Sequence, residues 1–386
     1  MNAKLALGLA ALFLLLQFQP AAAEQSDAAE RLDSTVSLDL RAVSWRPAPG
    51  DTYALVAGEG GTVLRYTGRF FMTLSSNTTS GLFGIGWHPS GSKALLVGRD
   101  GTFLEYDGTG FRSAPQDRTL WFEDAKWRPQ GDFALVVGHN GTLARTDGST
   151  LVRLNSTVND TITSISWRPD GRFAFLCGDF PFVLRYDPQT GNVDRLDTGL
   201  AGQYLRGVSW RPDGGTALVF GTLGTLYRYD GAGFTLLDTP TANQWLAAGW
   251  SVDNRTAILA ARAGLLYRFE EGKNLTPLTT NTTESIYSIA FAPNGSLALC
   301  VGSGGLVLRY PPAQIPGPIP PVDGDGTDWL LLSAALLLIF SLMTVGVAVY
   351  MTHRARKRQH EADQLADAEL HAVELAAKRK GEQGNK

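Results

Sequence analysis

The sequence is poor in the residues that build disulfide frameworks, metal centres and common catalytic sites. It has 2 cysteines and 5 histidines in 386 residues, and only His88 and His139 precede the C-terminal tail. No nucleophile elbow, phosphate-binding loop or metal-spaced His/Cys cluster occurs, so we expect no enzyme activity, metal or cofactor. A hydrolase or lyase built from scattered carboxylates is the alternative.

A strong charge of either sign is also missing. The chain carries 34 basic and 37 acidic residues, for a formal net charge of −3 at pH 7. Nothing in this balance favours a nucleic-acid partner, because such partners select basic surfaces.

What the chain does contain is an internal repeat with an aromatic anchor. The anchors are spaced by 42, 40, 40, 43, 40 and 41 residues. They are Trp45, Trp87, Trp127, Trp167, Trp210, Trp250 and Phe291. A period near 40 residues, with short apolar strands and glycine turns in each copy, is typical of β-propeller blades. The sequence therefore predicts an all-β, seven-bladed β-propeller over residues 24–310.

The two cysteines fall near the end of the second strand in different repeats, one directly before the closing glycine and the other one residue further from it. Cys177 belongs to the fourth predicted blade and Cys300 to the seventh. Cα atoms more than about 7 Å apart cannot be bridged, so we expect two buried, unpaired thiols. A disulfide or metal role is the alternative.

The last repeat is incomplete and predicts how the ring closes. It stops at Tyr310 without a fourth strand, whereas Leu32 lies 13 residues before Trp45, as Leu154 does before Trp167. The N-terminal segment is therefore predicted to supply the outer strand of the seventh blade, which removes an open sheet edge.

These repeats resemble two propeller families. The stretch Val208-Ser-Trp-Arg-Pro-Asp-Gly214 is similar to the Val-x-Phe-Ser-Pro-Asp-Gly of WD-repeat propellers, and Val136-Val-Gly-His-Asn-Gly-Thr142 looks like a turn of the photosystem II assembly-factor propellers. The resemblance covers about residues 28–310 and implies the fold. The Gly-His and Trp-Asp dipeptides of the first family and the Asp-Gly-Gly-x-Thr-Trp end of the second are missing, so no partner is carried over.

The segments that flank the repeats predict export and membrane anchoring. Residues 1–23 have the basic start, short apolar run and Ala21-Ala-Ala23 exit of a signal peptide, with an uncleaved anchor as the alternative. Residues 311–328 read as a proline-rich stalk. Trp329 to Met351 is 23 residues without a charge, long enough for a transmembrane α-helix, and basic residues follow it.

This order predicts a type I single-pass protein of the plasma membrane, with the propeller outside and residues 352–386 as a cytoplasmic, charged helical tail. Residues 329–351 would contact the lipid bilayer. The tail is either a solvated extension or a helix that docks on a cytosolic partner.

Glycosylation acceptors support export. Eight of the twelve asparagines begin Asn-x-Ser/Thr, whereas about two would by chance. They are Asn77, Asn140, Asn155, Asn159, Asn254, Asn274, Asn281 and Asn294. Turn formation is the alternative explanation, since Asn140-Gly141 and Asn294-Gly295 are turn dipeptides.

Two arginine series recur, one after the anchor tryptophans (Arg46, Arg128) and one on the third strands (Arg65, Arg145). They could form an anion-binding ring. We expect instead a structural role, in which guanidinium groups stack on aromatic rings and pair with turn aspartates.

Departures from the repeat predict the functional face. Loops that lead into the first strand, and turns between the second and third strands, share one face and hold aromatic and charged residues. The candidate binding residues are Phe83, Arg99, Trp121, His139, Asp179, Phe180, Tyr204, Trp245, Arg262 and Tyr287. We expect them to bind an extracellular protein, peptide or glycan. The competing interpretation is that several of these rings cap the core. Alternative functions are a membrane-complex assembly or scaffold factor and an extracellular enzyme acting on glycans.

Overall fold

The computed structural model describes residues 27–47, 52–114, 117–196, 198–199 and 203–311. The chain divides into two units, Met1–Ala313 and Gln314–Lys386, and all described residues belong to the first. The predicted signal peptide, transmembrane helix and tail, and the stalk beyond Pro311, lie outside the described residues. Among the described residues, no helix has the length and apolar character needed to cross a membrane.

The predicted propeller is confirmed: 28 strands form seven four-stranded antiparallel sheets, the blades. Blade 1 contains β2 (Leu40–Trp45), β3 (Ala54–Gly58), β4 (Val63–Tyr66) and β5 (Phe71–Leu74). Blade 2 contains β6 (Leu82–Trp87), β7 (Ala94–Gly98), β8 (Phe103–Tyr106) and β9 (Phe111–Ser113). Blade 3 contains β10 (Phe122–Trp127), β11 (Ala134–Gly138), β12 (Leu143–Thr146) and β13 (Leu151–Arg153). Blade 4 contains β14 (Ile162–Trp167), β15 (Ala174–Gly178), β16 (Phe180–Tyr186) and β17 (Val193–Leu196).

The remaining blades follow the same plan. Blade 5 contains β18 (Leu205–Trp210), β19 (Ala217–Gly221), β20 (Leu226–Tyr229) and β21 (Phe234–Leu236). Blade 6 contains β22 (Trp245–Trp250), β23 (Thr256–Ala261), β24 (Leu266–Glu270) and β25 (Thr276–Leu278). Blade 7 contains β26 (Ile286–Phe291), β27 (Ala298–Gly302), β28 (Val307–Tyr310) and, as its outer strand, β1 (Glu30–Leu32). Short 3-10 turns occupy Glu59–Gly61 and Ser303–Gly305.

Closure of the ring by the N-terminal segment is confirmed. Strand β1 pairs with β28 in the register Leu32↔Val307. The same segment also reaches blade 6, where the Ala29 amide donates to the Thr279 carbonyl at 2.7 Å. The outer edge of β28 is therefore paired. Because the chain continues from β1 into β2, this pairing also joins blade 7 to blade 1.

Four anchor tryptophans, Trp45, Trp87, Trp167 and Trp250, join their blade to the one before it through the indole N–H, whereas the indole nitrogens of Trp127 and Trp210 have no hydrogen-bond partner among the described residues. The Trp87 indole N–H donates to the Ser44 carbonyl at 3.2 Å, and the Trp250 indole donates to the Ser209 carbonyl at 3.1 Å. The bulky ring packs between neighbouring blades, and the small residue before every anchor tryptophan except Trp127, which follows Lys126, lets the next inner strand approach.

The structural interpretation of the arginine series is confirmed. Arg65 lies 3.8 Å from the Tyr53 ring centroid, and Arg145 lies 3.8 Å from that of Phe133. The Arg128 guanidinium donates to the Gly171 carbonyl of the next blade at 3.0 Å. These groups are committed to stacking and to inter-blade hydrogen bonds, so they are not available as an anion-binding ring.

Both cysteines are free and fully buried, as predicted. Burial raises the pKa of the Cys177 thiol well above its ordinary value and raises the pKa of Cys300 to about 12. Neither thiol is therefore a nucleophile near neutral pH.

Candidate functional site

Every inner strand carries a β-bulge at its second residue, and this turns seven side chains toward the central channel. In blade 1 the ladder skips from Leu40 to Ala42, which leaves Arg41 unpaired. The residues at this position are Arg41, Phe83, Glu123, Thr163, Arg206, Leu246 and Tyr287, and all seven line a cavity of about 540 Å³. Bulges re-aim side chains in this way. We call these seven residues the mouth ring and this end of the channel the mouth.

A second layer of side chains is fixed beside the mouth ring by backbone hydrogen bonds. The residue after each second strand donates its N–H to the residue before the inner strand, as from His139 to Trp121 at 3.0 Å. A glycine must end the second strand here, because a Cβ on Gly138 would lie 2.0 Å from the Trp121 carbonyl oxygen. The repeat thereby holds Arg99, Trp121 and His139 at the mouth.

Aromatic rings and cationic side chains from blades 7, 1, 2 and 3 form one continuous stack. The Arg41 guanidinium lies 4.4 Å from the Tyr287 centroid and 6.0 Å from that of Phe83. The Arg99 guanidinium lies 5.1 Å from the Phe83 centroid and 4.8 Å from that of Trp121. The Trp121 and His139 rings are 4.4 Å apart with planes 8° apart. We call this series, Tyr287, Arg41, Phe83, Arg99, Trp121 and His139, the cation–aromatic stack.

Carboxylates fix the two arginines and the histidine of the stack. Glu59 accepts from Arg41 at 3.2 Å and from Arg99 at 3.3 Å, so one carboxylate joins blades 1 and 2. Nε2 of His139 lies 2.9 Å from Oε1 of Glu123. These contacts leave few rotamers open to the stacked side chains, so a partner that binds them loses little conformational entropy.

The side of the mouth formed by blades 5 and 6 is different. Arg206 lines the cavity and has no carboxylate partner among the residues described. The Arg262 guanidinium donates to the amide oxygen of Gln244 at 2.9 Å, a neutral partner. Neither arginine therefore forms an ion pair within the described part of the chain.

Polar groups deeper in the channel serve the fold. Ser164 accepts from the Val208 amide at 3.3 Å, Ser288 from the Val43 amide at 3.2 Å and Asp124 from the Ile165 amide at 3.1 Å. Each bond satisfies an inner-strand N–H of the neighbouring blade. Recognition is thus expected at the mouth rather than within the channel.

The structure places eight of the ten predicted binding residues on the mouth face. Phe83, Arg99, Trp121, His139 and Tyr287 meet in the cation–aromatic stack. Asp179, Tyr204 and Arg262 are exposed on the same face, in the loops of blades 4 to 6. Sequence reasoning missed Arg41, Glu59, Glu123 and Arg206.

Phe180 and Trp245 lie inside the blades, so for these two the core-capping interpretation holds. Trp245 is fully buried, and its indole donates to the Gly224 carbonyl at 3.0 Å. Phe180 is buried, with its ring centroid 3.9 Å from that of Phe182. Strand β16 begins early in blade 4, which draws Phe180 into the sheet instead of leaving it in a turn.

The glycosylation acceptors are mostly exposed. Seven of the eight asparagines are exposed and Asn254 is partly buried. Asn77, Asn140, Asn254 and Asn281 have positive φ, which supports the turn role of these four without deciding whether they are modified.

The described residues contain no group of three or more His, Cys, Asp or Glu side chains placed to hold a metal ion.

No family model matches the chain, and neither does any curated protein. Solved structures do. A structure described as YCF48 bound to D1 peptide superposes with a TM-score of 0.60 at 16% identity, covering 75% of this chain and 99% of that one. A structure described as YCF48 from Cyanidioschyzon merolae superposes with a TM-score of 0.60 at 16% identity, covering 73% of this chain and 98% of that one. The resemblance to photosystem II assembly-factor propellers is confirmed at the level of fold.

Proposed function

We propose that this protein is a non-enzymatic recognition module that binds a protein or peptide through the mouth face. The observation that carries the proposal is the cation–aromatic stack. It gathers three aromatic rings and two arginines, the residue types that dominate protein–protein hot spots. Rigid aromatic platforms of this kind bind polypeptides with little loss of side-chain entropy.

The mouth face is also clear of the described chain ends. Strand β28 runs away from the mouth, and β1 begins beside its far end, with Glu30 opposite Arg309. Arg268 contacts both Asp27, at 3.0 Å, and the Tyr310 hydroxyl, at 3.3 Å. Asp27 and Pro311 therefore lie at the opposite face, where they do not obstruct a partner.

We further propose that the propeller is displayed outside the cell as a type I glycoprotein anchored by residues 329–351, with a glycan as the alternative ligand. The charge-free 23-residue segment and the eight acceptor asparagines support this location. Glycosidase treatment of the native protein should increase its gel mobility. An unchanged mobility would remove the glycoprotein part of the proposal.

Binding at the mouth is tested by affinity purification from crosslinked membranes. A Phe83→Ala/Trp121→Ala variant should lose a polypeptide that the wild type retains at stoichiometric yield. The matched control is Val252→Ala, because Val252 is an exposed apolar residue in the β22–β23 turn on the opposite face. Equal recovery of the polypeptide by the wild type, the double variant and the Val252→Ala control would contradict the proposal.

A membrane-complex assembly or scaffold role is the second candidate, and one comparison favours it. YCF48, a propeller of this fold, has been solved bound to D1 peptide. Recovery of one stoichiometric membrane complex would support assembly, whereas recovery of a soluble ligand would support reception at the surface.

A further inference from the structure

Blade 5 exposes three large hydrophobic side chains. Tyr204 is 58% exposed, Leu223 70% and Leu236 61%. They are three of the eight exposed large hydrophobics among the described residues. Tyr204 and Leu223 are linked through Thr222, whose N–H donates to the Tyr204 carbonyl at 3.0 Å. Leu236 lies on β21, the outer strand of the same blade, and we call these three exposed residues the blade 5 patch.

Leu223 is an unfavourable residue type for its position in the β19–β20 turn. It stands at the tip of the β19–β20 turn with a φ of 55°, in the left-handed region. The equivalent residues of five other blades, also at positive φ, are Gly60, Asp100, Asn140, Ala263 and Gly304. Gly, Asn and Asp suit this conformation, whereas a γ-branched apolar residue is strained there and gains no burial in exchange. The fold therefore does not account for leucine at this position.

The outer strand of blade 5 also lacks the residues that prevent a sheet edge from pairing with another chain. Strand β21 reads Phe-Thr-Leu, with neither a charge nor a proline. Other outer strands carry such residues: Arg112 in β9, Arg153 in β13, Asp194 in β17, Pro277 in β25 and Arg31 in β1. Among the seven outer strands, only β5 also lacks both a charge and a proline. Charges and prolines keep sheet edges from pairing with other chains, so β21 is open to contact.

The acceptor asparagines leave the same sector free. No acceptor lies between Asn159 and Asn254, so blade 5 has none on either face or on the rim. The mouth-face loops of other blades hold Asn77, Asn140, Asn155, Asn159 and Asn281. Exposed apolar patches mark surfaces that contact protein, and no acceptor lies in blade 5 where a sugar would cover this one.

Charge beside the patch indicates the chemistry of the partner. Arg206 adjoins Leu205 at the start of blade 5, and Arg262 stands in the corresponding turn of blade 6. Neither has a carboxylate partner in the described part of the chain. A partner that offers a carboxylate next to an apolar side chain would complement both features.

We propose that the blade 5 patch is the docking surface for a protein segment that presents an apolar side chain beside an acidic residue. The proposal rests on the proposed function and deepens it, because it assigns the partner's apolar anchor to one blade and its acidic group to the arginines of the mouth.

A single substitution tests this by placing a sugar on the patch. Leu223→Asn creates the acceptor Asn-Gly-Thr in the turn where blade 3 has Asn140-Gly141-Thr142. The two turns match in φ, 55° and 53°, and their threonines are both buried. Asparagine is better suited than leucine to this backbone, so we expect the variant to fold.

The variants are expressed in a eukaryotic secretory host, and crosslinked membranes supply the partner. Glycosylated Leu223→Asn should recover the partner at less than a tenth of the wild-type yield. Leu223→Asp, which matches Asp100 and accepts no sugar, measures loss of the leucine alone and should weaken recovery about tenfold. Asn140→Asp, which removes the equivalent acceptor in blade 3 and matches Asp100 at the same turn position, should leave recovery unchanged.

Leu236→Lys gives a readout that does not depend on glycosylation and should also reduce recovery. Its control is Val152→Lys on the outer strand of blade 3, where an equally exposed residue, at 59%, lies outside the patch. Recovery of the partner at the wild-type yield by the patch variants, but not by Phe83→Ala/Trp121→Ala, would overturn the docking-surface proposal and leave the proposed function standing. If the wild type recovers no partner, the proposed function itself fails.

Discussion

Trp121 and His139 lie ring on ring, with centroids 4.4 Å apart and planes 8° apart. They come from opposite ends of the chain segment that forms β10 and β11, and the backbone bond from His139 to Trp121 holds them together. Arg99 of blade 2 covers the other face of the indole at 4.8 Å. Trp121 is thus the side chain through which Arg99 of blade 2 and His139 of blade 3 are joined in the cation–aromatic stack.

Trp121→Ala should weaken partner binding by about 2 kcal/mol or more, roughly thirtyfold, because truncating a central aromatic removes contact area and the ring on which Arg99 and His139 stack. The thermal midpoint should change little, since the indole is partly exposed. Trp121→Phe should retain part of the affinity. Affinities of the three proteins for the purified partner provide the measurement, and equal values for all would contradict the role of the stack.

The approach of blades 2 and 3 depends on Gly84. A Cβ there would lie 2.7 Å from the Asp124 Cα and 3.0 Å from the Ala125 nitrogen. Gly84→Ala should therefore reduce the free energy of unfolding by about 1–3 kcal/mol. Gly110→Ala is the matched control, because a Cβ there meets nothing within 4 Å. Calorimetry on both variants checks this, and equal thermal midpoints would show that the blades separate without strain.

Ring closure should depend on Ala29, which is buried among residues of blades 6 and 7. Ala29→Asp places a carboxylate in that cluster and should lower the free energy of unfolding by about 2 kcal/mol or more. Arg31→Ala, in the same strand, breaks only the exposed pair with Glu284 and should cost less than about 1 kcal/mol. Chemical denaturation curves compare the two. A similar loss for both would mean that β1 contributes through its charge rather than through its packing.

Turn aspartates should make stability fall in acid. The Thr109 hydroxyl, with the Thr109 and Gly110 amides, lowers the pKa of Asp107 to about 2, and the Thr150 and Ser149 amides lower the pKa of Asp147. Since an unfolded aspartate has a pKa of about 3.9, the stabilisation is present above that value. It is lost as the pH falls toward the folded pKa.

Asn keeps an acceptor oxygen but does not titrate, so Asp107→Asn/Asp147→Asn isolates the effect of charge. The thermal midpoint of the wild type should exceed that of this variant at pH 7, and the gap should shrink between about pH 4 and pH 2. A constant gap across this range would rule out the linkage.

The sequence predicted the ring because each blade repeats the same physical requirement. A large anchor such as Trp87 must meet a small residue such as Ser44 in the blade before it, and this need recurs with a fixed period. Closure followed from the same logic, since Leu32 occupies the outer-strand position that the last repeat leaves empty.

The mouth was predicted only in part, because a bulge leaves no mark in a single copy of the repeat. From the sequence, Arg41 looks like any residue of an alternating β-strand. Its side chain points toward the channel only because the pairing with β3 skips it between Leu40 and Ala42. The placement of Trp245 could have been predicted. It lies five residues before Trp250, as Leu40 lies five before Trp45, and Leu40 is at a core position.

The central claim, that the mouth face is where a polypeptide binds, is tested most directly by site-specific photo-crosslinking in cells that express the full-length protein. A photoreactive amino acid at Tyr287, in the stack, should yield one discrete crosslinked polypeptide, and the same probe at Val252, on the opposite face, should yield none. Crosslinks that form at Val252 but not at Tyr287 would contradict the account.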